Sequence, residues 1–267
     1  MNAVHEKARR LKTALALVLA ILSTACGSSS KSSTSTSGPV AGNWQMTMQP
    51  GDGNPEVKTE SGFLQQSGNV VTGSVSVFDS PCSGVGSVTG TVNGMAVSLV
   101  VAPVGIQIGL TGTLGSDQAS MSGTYTVITT GCSGRQTAPQ SGTWTGNLVQ
   151  PLNGNINGSF VSTRFGTIYA IGGNVSQGPN TGASNTTLTG TLSGPSGYCF
   201  ASVNIAGVIS GTETVWNLLD SNGNQIGTVT GTSSFDGTSV TGKYVILSQG
   251  RGNPCPAGDL GTVTLSL

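Results

Sequence analysis

The chain has little charge, few aromatic rings and almost no histidine. Charged residues make up 7% of its 267 residues, aromatic residues make up 5%, and there is a single histidine. Average soluble domains carry about 25% charged residues, which argues against a solvated helical protein. The hydrophobic fraction of 36% is still too high for a typical disordered chain. Glycine is abundant instead, with 42 residues, and this composition predicts an all-β protein of short strands and many turns.

The lone histidine, His5, lies in a segment that we predict to be removed, so the mature chain would contain none. This excludes Ser-His-Asp and Cys-His nucleophilic sites and histidine metal ligands. Beyond residue 25, six Lys and Arg face nine Asp and Glu, a net charge of −3 without a basic stripe. We therefore expect no nucleic-acid partner, no metal, no cofactor and no enzymatic activity.

Carboxylate pairs are the remaining simple catalytic option. Glu56 and Glu60 are close in sequence, but they follow the loop-forming residues 51–55 and are expected to be solvated. The span from Asp220 to Asn224 lacks the spacing of a calcium loop and predicts a hairpin turn. Turn chemistry, in which an acidic side chain bonds nearby backbone, explains the remaining acidic residues: Asp79, Asp117, Glu213, Asp220, Asp236 and Asp259.

The N-terminus has the pattern of an export signal. Residues 7–12 are basic, and residues 13–22 form a small, apolar stretch that is too short to span a hydrocarbon core of about 30 Å. We predict a helical signal peptide at residues 1–25. The residues that follow, Ser23-Thr24-Ala25-Cys26-Gly27, resemble the lipobox of bacterial lipoproteins, in which the cysteine becomes the lipid-bearing first residue. Cleavage near Ala25 without lipidation is the alternative.

The resemblance to lipoproteins implies lipidation (including palmitate) at Cys26 and a membrane-anchored protein of the cell envelope. Because residue 27 is glycine and not aspartate, it further implies the outer membrane where the bacterium has two membranes. Residues 26–38 are rich in Ser and Thr and lack apolar periodicity, so they predict a flexible tether.

An internal repeat divides the rest of the chain. Residues 108–127 align with residues 226–245 after one insertion, which predicts two units at residues 39–150 and 151–267. The alignment matches Gly112 with Gly231, Gly123 with Gly242, and Tyr125 with Tyr244.

The cysteines follow the same repeat. With Cys26 lipidated, four cysteines remain and allow three pairings. Each unit holds one early and one late cysteine, so the repeat selects the disulfides Cys82–Cys132 and Cys199–Cys255. Each disulfide would close a loop of roughly 50 residues and contribute about 4 kcal/mol in an exported protein.

Apolar residues alternate along both units, as in Trp44, Met46 and Met48. Glycines such as Gly123 and Gly242 recur on the apolar face, where a glycine is costly unless strands crowd there. This favours two tandem antiparallel meander β-barrels of about eight strands each. Two β-sandwiches are the alternative.

The tripeptide Gly42-Asn43-Trp44 opens the first strand and resembles the Gly-x-Trp start of lipocalin-like and avidin-like barrels. The resemblance implies a barrel that binds a small apolar ligand, with Trp44 otherwise serving as a core plug. Two functions stay open. The first is a structural or interaction lipoprotein of the cell envelope that binds a partner protein, and the second is a module that binds a small apolar ligand. The candidate ligand-binding residues are Trp44, Tyr125, Trp144 and Tyr244.

Overall fold

The computed structural model describes residues 38–51, 58–78, 83–130, 140–194, 201–247 and 258–267. The predicted signal peptide, its helix and nearly all of the tether lie outside the described residues, as do Glu56, Asp79 and all five cysteines, Cys26, Cys82, Cys132, Cys199 and Cys255. The described part of the chain contains no helix that could span a lipid bilayer.

The first unit is a closed antiparallel barrel, barrel 1, in which each strand pairs with the next and β8 pairs with β1. Its strands are β1 (Gly42–Pro50), β2 (Lys58–Ser67), β3 (Val70–Val77), β4 (Gly84–Asn93), β5 (Ala96–Ala102), β6 (Ile106–Leu114), β7 (Ser120–Thr130) and β8 (Ser141–Val149).

The second unit repeats this topology as barrel 2, which closes through the pairing of β16 with β9. Its strands are β9 (Gly154–Ser162), β10 (Ile168–Gln177), β11 (Thr186–Ser193), β12 (Ser202–Ser210), β13 (Glu213–Leu219), β14 (Gln225–Ser233), β15 (Ser239–Ile246) and β16 (Leu260–Ser266). The predicted all-β fold with two tandem eight-stranded meander barrels is confirmed, and the sandwich alternative is wrong because each sheet closes on itself.

The alternation of side chains sets the inside of each barrel. In β1, Trp44, Met46 and Met48 point inward and are at most 2% exposed. Successive side chains of a strand point to opposite faces, so Asn43 and Gln45 face outward. Each barrel encloses its own apolar core cluster, which is where most of the burial energy of the fold lies.

The paired glycines explain how the strands pack so closely. Gly112 pairs with Gly123 in barrel 1, and the equivalent Gly231 pairs with Gly242 in barrel 2, which confirms the internal repeat. A Cβ atom on Gly123 would lie 1.9 Å from the Thr111 carbonyl oxygen and 2.5 Å from the Gly112 Cα. Neither Gly112 nor Gly123 has room for a side chain.

At the end of barrel 1 where β1 begins, which we call the sealed end, Trp44 packs against the buried residue Val40, just before the strand. Trp44 is fully buried there and its Nε1 donates a hydrogen bond of 2.8 Å to the carbonyl oxygen of Val40. We call the opposite end of barrel 1, where β1 ends and β2 begins, the far end. A group that points into the barrel near the start of β2 therefore lies toward the far end.

The outer face of β1 and β2 packs against one end of barrel 2. Asn43 and Gly211 exchange two hydrogen bonds of 2.8 Å, and the hydroxyls of Ser61 and Ser210 lie 2.8 Å apart. Phe63 points out of barrel 1 but is 2% exposed, because it belongs to the core cluster of barrel 2. Phe63 of barrel 1 thus closes the adjacent end of barrel 2. We call the interface between the barrels, formed by these hydrogen bonds and the Phe63 ring, the joint.

Candidate functional site

A cleft of about 370 Å³ lies where the two barrels join. Small-molecule sites commonly have volumes of roughly 300–1,000 Å³ and often occur between domains, so the cleft is the first candidate for a binding site. Its apolar wall includes Phe63 and Leu148, and its polar wall includes the amide side chains of Gln150, Asn153 and Gln177.

Backbone bonds hold two of these amides in place. Gln177 accepts a hydrogen bond of 3.1 Å from the Leu152 N–H through Oε1. Asn153 accepts one of 2.8 Å from the Gln177 N–H through Oδ1. Their NH₂ groups, and the whole amide of Gln150, make no hydrogen bond within the described part of the chain. The cleft therefore presents two oriented NH₂ donors, those of Asn153 and Gln177, and the amide of Gln150, which no side-chain hydrogen bond within the described residues orients. The residues that line the cleft carry no charge.

Glu60 is the second candidate, and here the sequence prediction of a solvated loop residue is wrong. Glu60 is the third residue of β2 and is fully buried. Its cross-strand neighbours are Met46 on β1 and Val77 on β3, both buried inside barrel 1. Side chains of directly paired residues share a face of the sheet, so the Glu60 carboxyl points into the barrel among apolar groups.

Neither carboxylate oxygen of Glu60 has a hydrogen-bond partner among the described residues. Burial of the carboxyl, with no compensating bond or charge, raises the pKa of Glu60 from 4.5 to about 7. Buried polar groups in native proteins are almost always paired, so this carboxyl is an exception that calls for a functional explanation.

The internal repeat shows that the fold does not need an acid at this position. Met46 pairs with Glu60 in barrel 1, and the matching pair in barrel 2 is Gly158 with Ile171. Ile171 is 3% exposed and completes an apolar core. Extending the repeat alignment back to β2 would have paired Glu60 with Ile171 and indicated an inward position from sequence.

Barrel 2 has its own buried carboxylate, but this one is fully bonded. Asp259 is 0% exposed and accepts hydrogen bonds from Ser162 Oγ at 2.6 Å and Tyr244 Oη at 3.0 Å. Tyr244 also stacks on Phe160, with ring centroids 4.6 Å apart. Burial, followed by the Asp259 carboxylate, raises the pKa of the Tyr244 phenol. The prediction that Asp259 bonds the backbone of its own turn is wrong. Its carboxylate instead connects β9 and β15 by accepting hydrogen bonds from Ser162 and Tyr244.

The predicted ligand-binding residues all lie inside the barrels. Trp44, Tyr125 and Trp144 belong to the core of barrel 1 and Tyr244 to that of barrel 2, each at most 2% exposed. Trp144 Nε1 donates to the Thr111 carbonyl oxygen at 3.2 Å. None of the four lines the cleft between the barrels, and they remain predictions as ligand contacts.

Three aspartates behave as the turn prediction requires. Asp220 Oδ1 accepts hydrogen bonds from the backbone N–H groups of Asn222 and Asn224, so the hairpin turn is confirmed. Asp117 and Asp236 bond their own turns in the same way. Hydrogen bonds to these carboxylates lower the pKa of all three. Within the described ranges, no three His, Cys, Asp or Glu residues come together in a way that would hold a metal ion.

Comparison with known proteins adds little beyond this geometry. No protein-family model matches the chain, and no curated protein matches it. Among solved structures, the chain is similar to a protein of unknown function from the DUF3598 family of Nostoc punctiforme. The two are 13% identical, the match covers 85% of this chain and 96% of that one, and the TM-score is 0.25.

Proposed function

We propose that the protein is a lipid-anchored, non-catalytic binding protein of the cell envelope, and that the cleft between its barrels takes a small neutral ligand. This proposal rests on the cleft, because it combines a suitable volume with the amides of Asn153 and Gln177, whose oxygens are held by backbone N–H groups while their NH₂ groups are unbonded within the described residues. A cleft between two barrels that are joined by buried hydrogen bonds would be preformed, which lowers the entropic cost of binding.

The chemistry of the lining selects the class of ligand. Amide side chains donate and accept hydrogen bonds without carrying charge, and the described lining offers no ion-pairing partner. A neutral molecule with amide or hydroxyl groups and a small apolar face fits Gln150, Gln177 and the wall formed by Leu148. The ligand would thus be more polar than the apolar molecule expected from the lipocalin-like start of the chain.

Anchoring at Cys26 would hold this cleft near a membrane. The cleft wall includes Ala41 and Gly42, which directly follow the tether predicted at residues 26–38. A Cys26→Ser variant should lose lipid modification and accumulate as an uncleaved precursor, as measured by mass spectrometry of the membrane fraction. Normal cleavage and membrane retention of the variant would contradict the anchor without bearing on the cleft.

The cleft is tested by placing a bulky side chain in it. N-acetylglucosamine and N-acetylalanine amide serve as neutral amide probes, and NMR follows the side-chain NH₂ signals of Gln177 and Asn153. Gln150→Trp should abolish the shifts because the indole fills the cleft, whereas Gln107→Trp on the exposed outer face of β6 should not. Equal shifts in both variants, or no shifts in the native protein, would overturn the cleft as the site of amide binding.

A further inference from the structure

We infer that ligand binding in the cleft is coupled to the docking of the two barrels, and that Ser210, which does not line the cleft, positions the wall that couples them. The inference rests on the proposed function of the cleft. This wall belongs to residues 178–185, the connection between β10 and β11, which we call the strap. In barrel 1, residues 68 and 69 alone connect the corresponding strands, β2 and β3. A barrel of this repeat therefore folds without a strap, and the longer connection in barrel 2 needs another reason.

The strap supplies part of the cleft lining. Gly178, Pro179 and Asn180 line the cleft from barrel 2, and Gly42 and Leu148 line it from barrel 1. A ligand that contacts both groups of residues needs the strap to lie against barrel 1. Such a ligand binds the docked arrangement of the barrels and not a separated one.

Three hydrogen bonds hold the strap on β2 of barrel 1. Asn180 Nδ2 donates to the Leu64 carbonyl oxygen at 2.7 Å, and Gln65 Nε2 donates to the Asn180 carbonyl oxygen at 3.3 Å. The Phe63 N–H donates to the Ala183 carbonyl oxygen, also at 3.3 Å. The strap wall of the cleft therefore keeps its place only while the barrels stay docked.

Ser210, the last residue of β12, also holds the strap. Its Oγ donates a hydrogen bond of 2.6 Å to the Ser184 carbonyl oxygen in the strap and lies 2.8 Å from Oγ of Ser61, a buried residue of barrel 1. A hydroxyl donates a single proton, so the Ser61 hydroxyl is the donor to Ser210 and the three residues form a chain from barrel 1 to the strap. Loss of the Ser210 hydroxyl would break this chain without changing any residue that lines the cleft.

The coupling acts in both directions. If binding requires the docked barrels, a bound ligand must oppose their separation. At a ligand concentration of about nine times Kd, opening of the joint becomes about tenfold rarer. Thr212 reports this opening, because its N–H donates to Gln45 Oε1 across the joint at 3.1 Å and neither residue lines the cleft.

Hydrogen exchange of the Thr212 N–H tests the coupling in the whole chain. The probe is N-acetylalanine amide, and the side-chain NH₂ signals of Gln177 and Asn153 follow its binding. At about nine times Kd, exchange at Thr212 should slow about tenfold. Gly223, whose N–H donates to the Asp220 carbonyl oxygen in a turn at the other end of barrel 2, should exchange at an unchanged rate.

The outcomes separate this inference from the proposed function. Shifted Gln177 and Asn153 signals together with unchanged exchange at Thr212 would overturn the coupling and leave the cleft as a binding site. Unshifted signals would overturn the proposed function and the coupling together.

The variant Ser210→Ala tests the positioning role. The strap loses its bond to Ser210, so the cleft is less preorganised and the probe should bind about threefold more weakly or worse. Ser193→Ala, which removes a hydrogen bond of 3.2 Å to the Gly172 carbonyl oxygen within barrel 2, is the matched control and should bind like the native protein. Circular dichroism checks that both variants are folded. Native affinity in folded Ser210→Ala, or an equal loss of affinity in Ser193→Ala, would overturn the role of Ser210.

Discussion

Asn43 and Gly211 are bound to each other by two hydrogen bonds across the junction of the barrels. Asn43 Nδ2 donates to the Gly211 carbonyl oxygen and the Gly211 N–H donates to Asn43 Oδ1, both at 2.8 Å. Gly211 has a φ of 55°, and a Cβ atom there would lie 2.1 Å from Gln45 Oε1. The turn between β12 and β13 therefore needs glycine both for its backbone conformation and for its contact with barrel 1.

Removing the Asn43 side chain should loosen this joint. Asn43→Ala would leave the buried N–H and carbonyl groups of Gly211 without partners, at a cost of about 2–3 kcal/mol. We expect a lower midpoint in urea unfolding and a transition that separates into two steps, one for each barrel. Asn147→Ala, on the exposed face of β8, is the matched control and should leave the midpoint nearly unchanged. A single unshifted transition for Asn43→Ala would show that the joint does not couple the barrels.

Glu60 should make the free energy of unfolding depend on pH. Burial raises its pKa from 4.5 to about 7, so between these values the folded protein keeps a proton that the unfolded chain has released. The contribution of Glu60 to the free energy of unfolding is then at its full value below pH 4.5. It falls as the pH rises to about 7, by about 1.4 kcal/mol per pH unit and about 3 kcal/mol in total. Urea unfolding across this range checks the slope.

The Glu60→Gln variant isolates this contribution. The variant should lose the Glu60 part of the slope and be more stable than the native protein above pH 7, because no charge has to be buried. Glu213→Gln should retain the native slope. A native slope in Glu60→Gln would mean that another group is responsible for the pH dependence.

The sequence predicts the parts of this fold that depend on local periodicity. Alternation placed Met46 and Met48 inside a strand because neighbouring side chains must point to opposite faces. The glycine row predicted closed barrels because paired positions such as Gly112 and Gly123 have no room for a side chain. The alternation and the glycine pattern are both visible within a few neighbouring residues, and the strands and barrels of the structure agree with them.

The parts that depend on distant contacts could not be predicted in this way. Phe63 points outward from its own barrel and is buried only because barrel 2 covers it. Glu60 follows a run of loop-forming residues, and its inward direction depends on the register between β1 and β2. Asp259 is next to a turn, but its partners Ser162 and Tyr244 come from two other strands. The cleft at the junction likewise exists only once both barrels are assembled.

The disulfides predicted from the repeat stay a prediction, because all four cysteines lie outside the described residues. Each repeat unit holds one early and one late cysteine, so we expect peptide mapping without reduction to find Cys82–Cys132 and Cys199–Cys255. A disulfide between the two units would contradict the repeat.

The paired glycines give the sharpest test of barrel geometry. In Gly123→Ala and Gly242→Ala, the new methyl group would lie 1.9 Å and 2.2 Å from a carbonyl oxygen of the neighbouring strand. The backbone would have to move apart, so each variant should lose more than about 2 kcal/mol of stability. Gly172→Ala is the control, because its nearest contact would be 3.8 Å away, and it should be neutral or slightly stabilising. Thermal unfolding measures this difference, and we expect the melting temperature to fall in Gly123→Ala and Gly242→Ala but not in Gly172→Ala. Similar melting temperatures for all three variants would mean that the strands do not crowd at these positions.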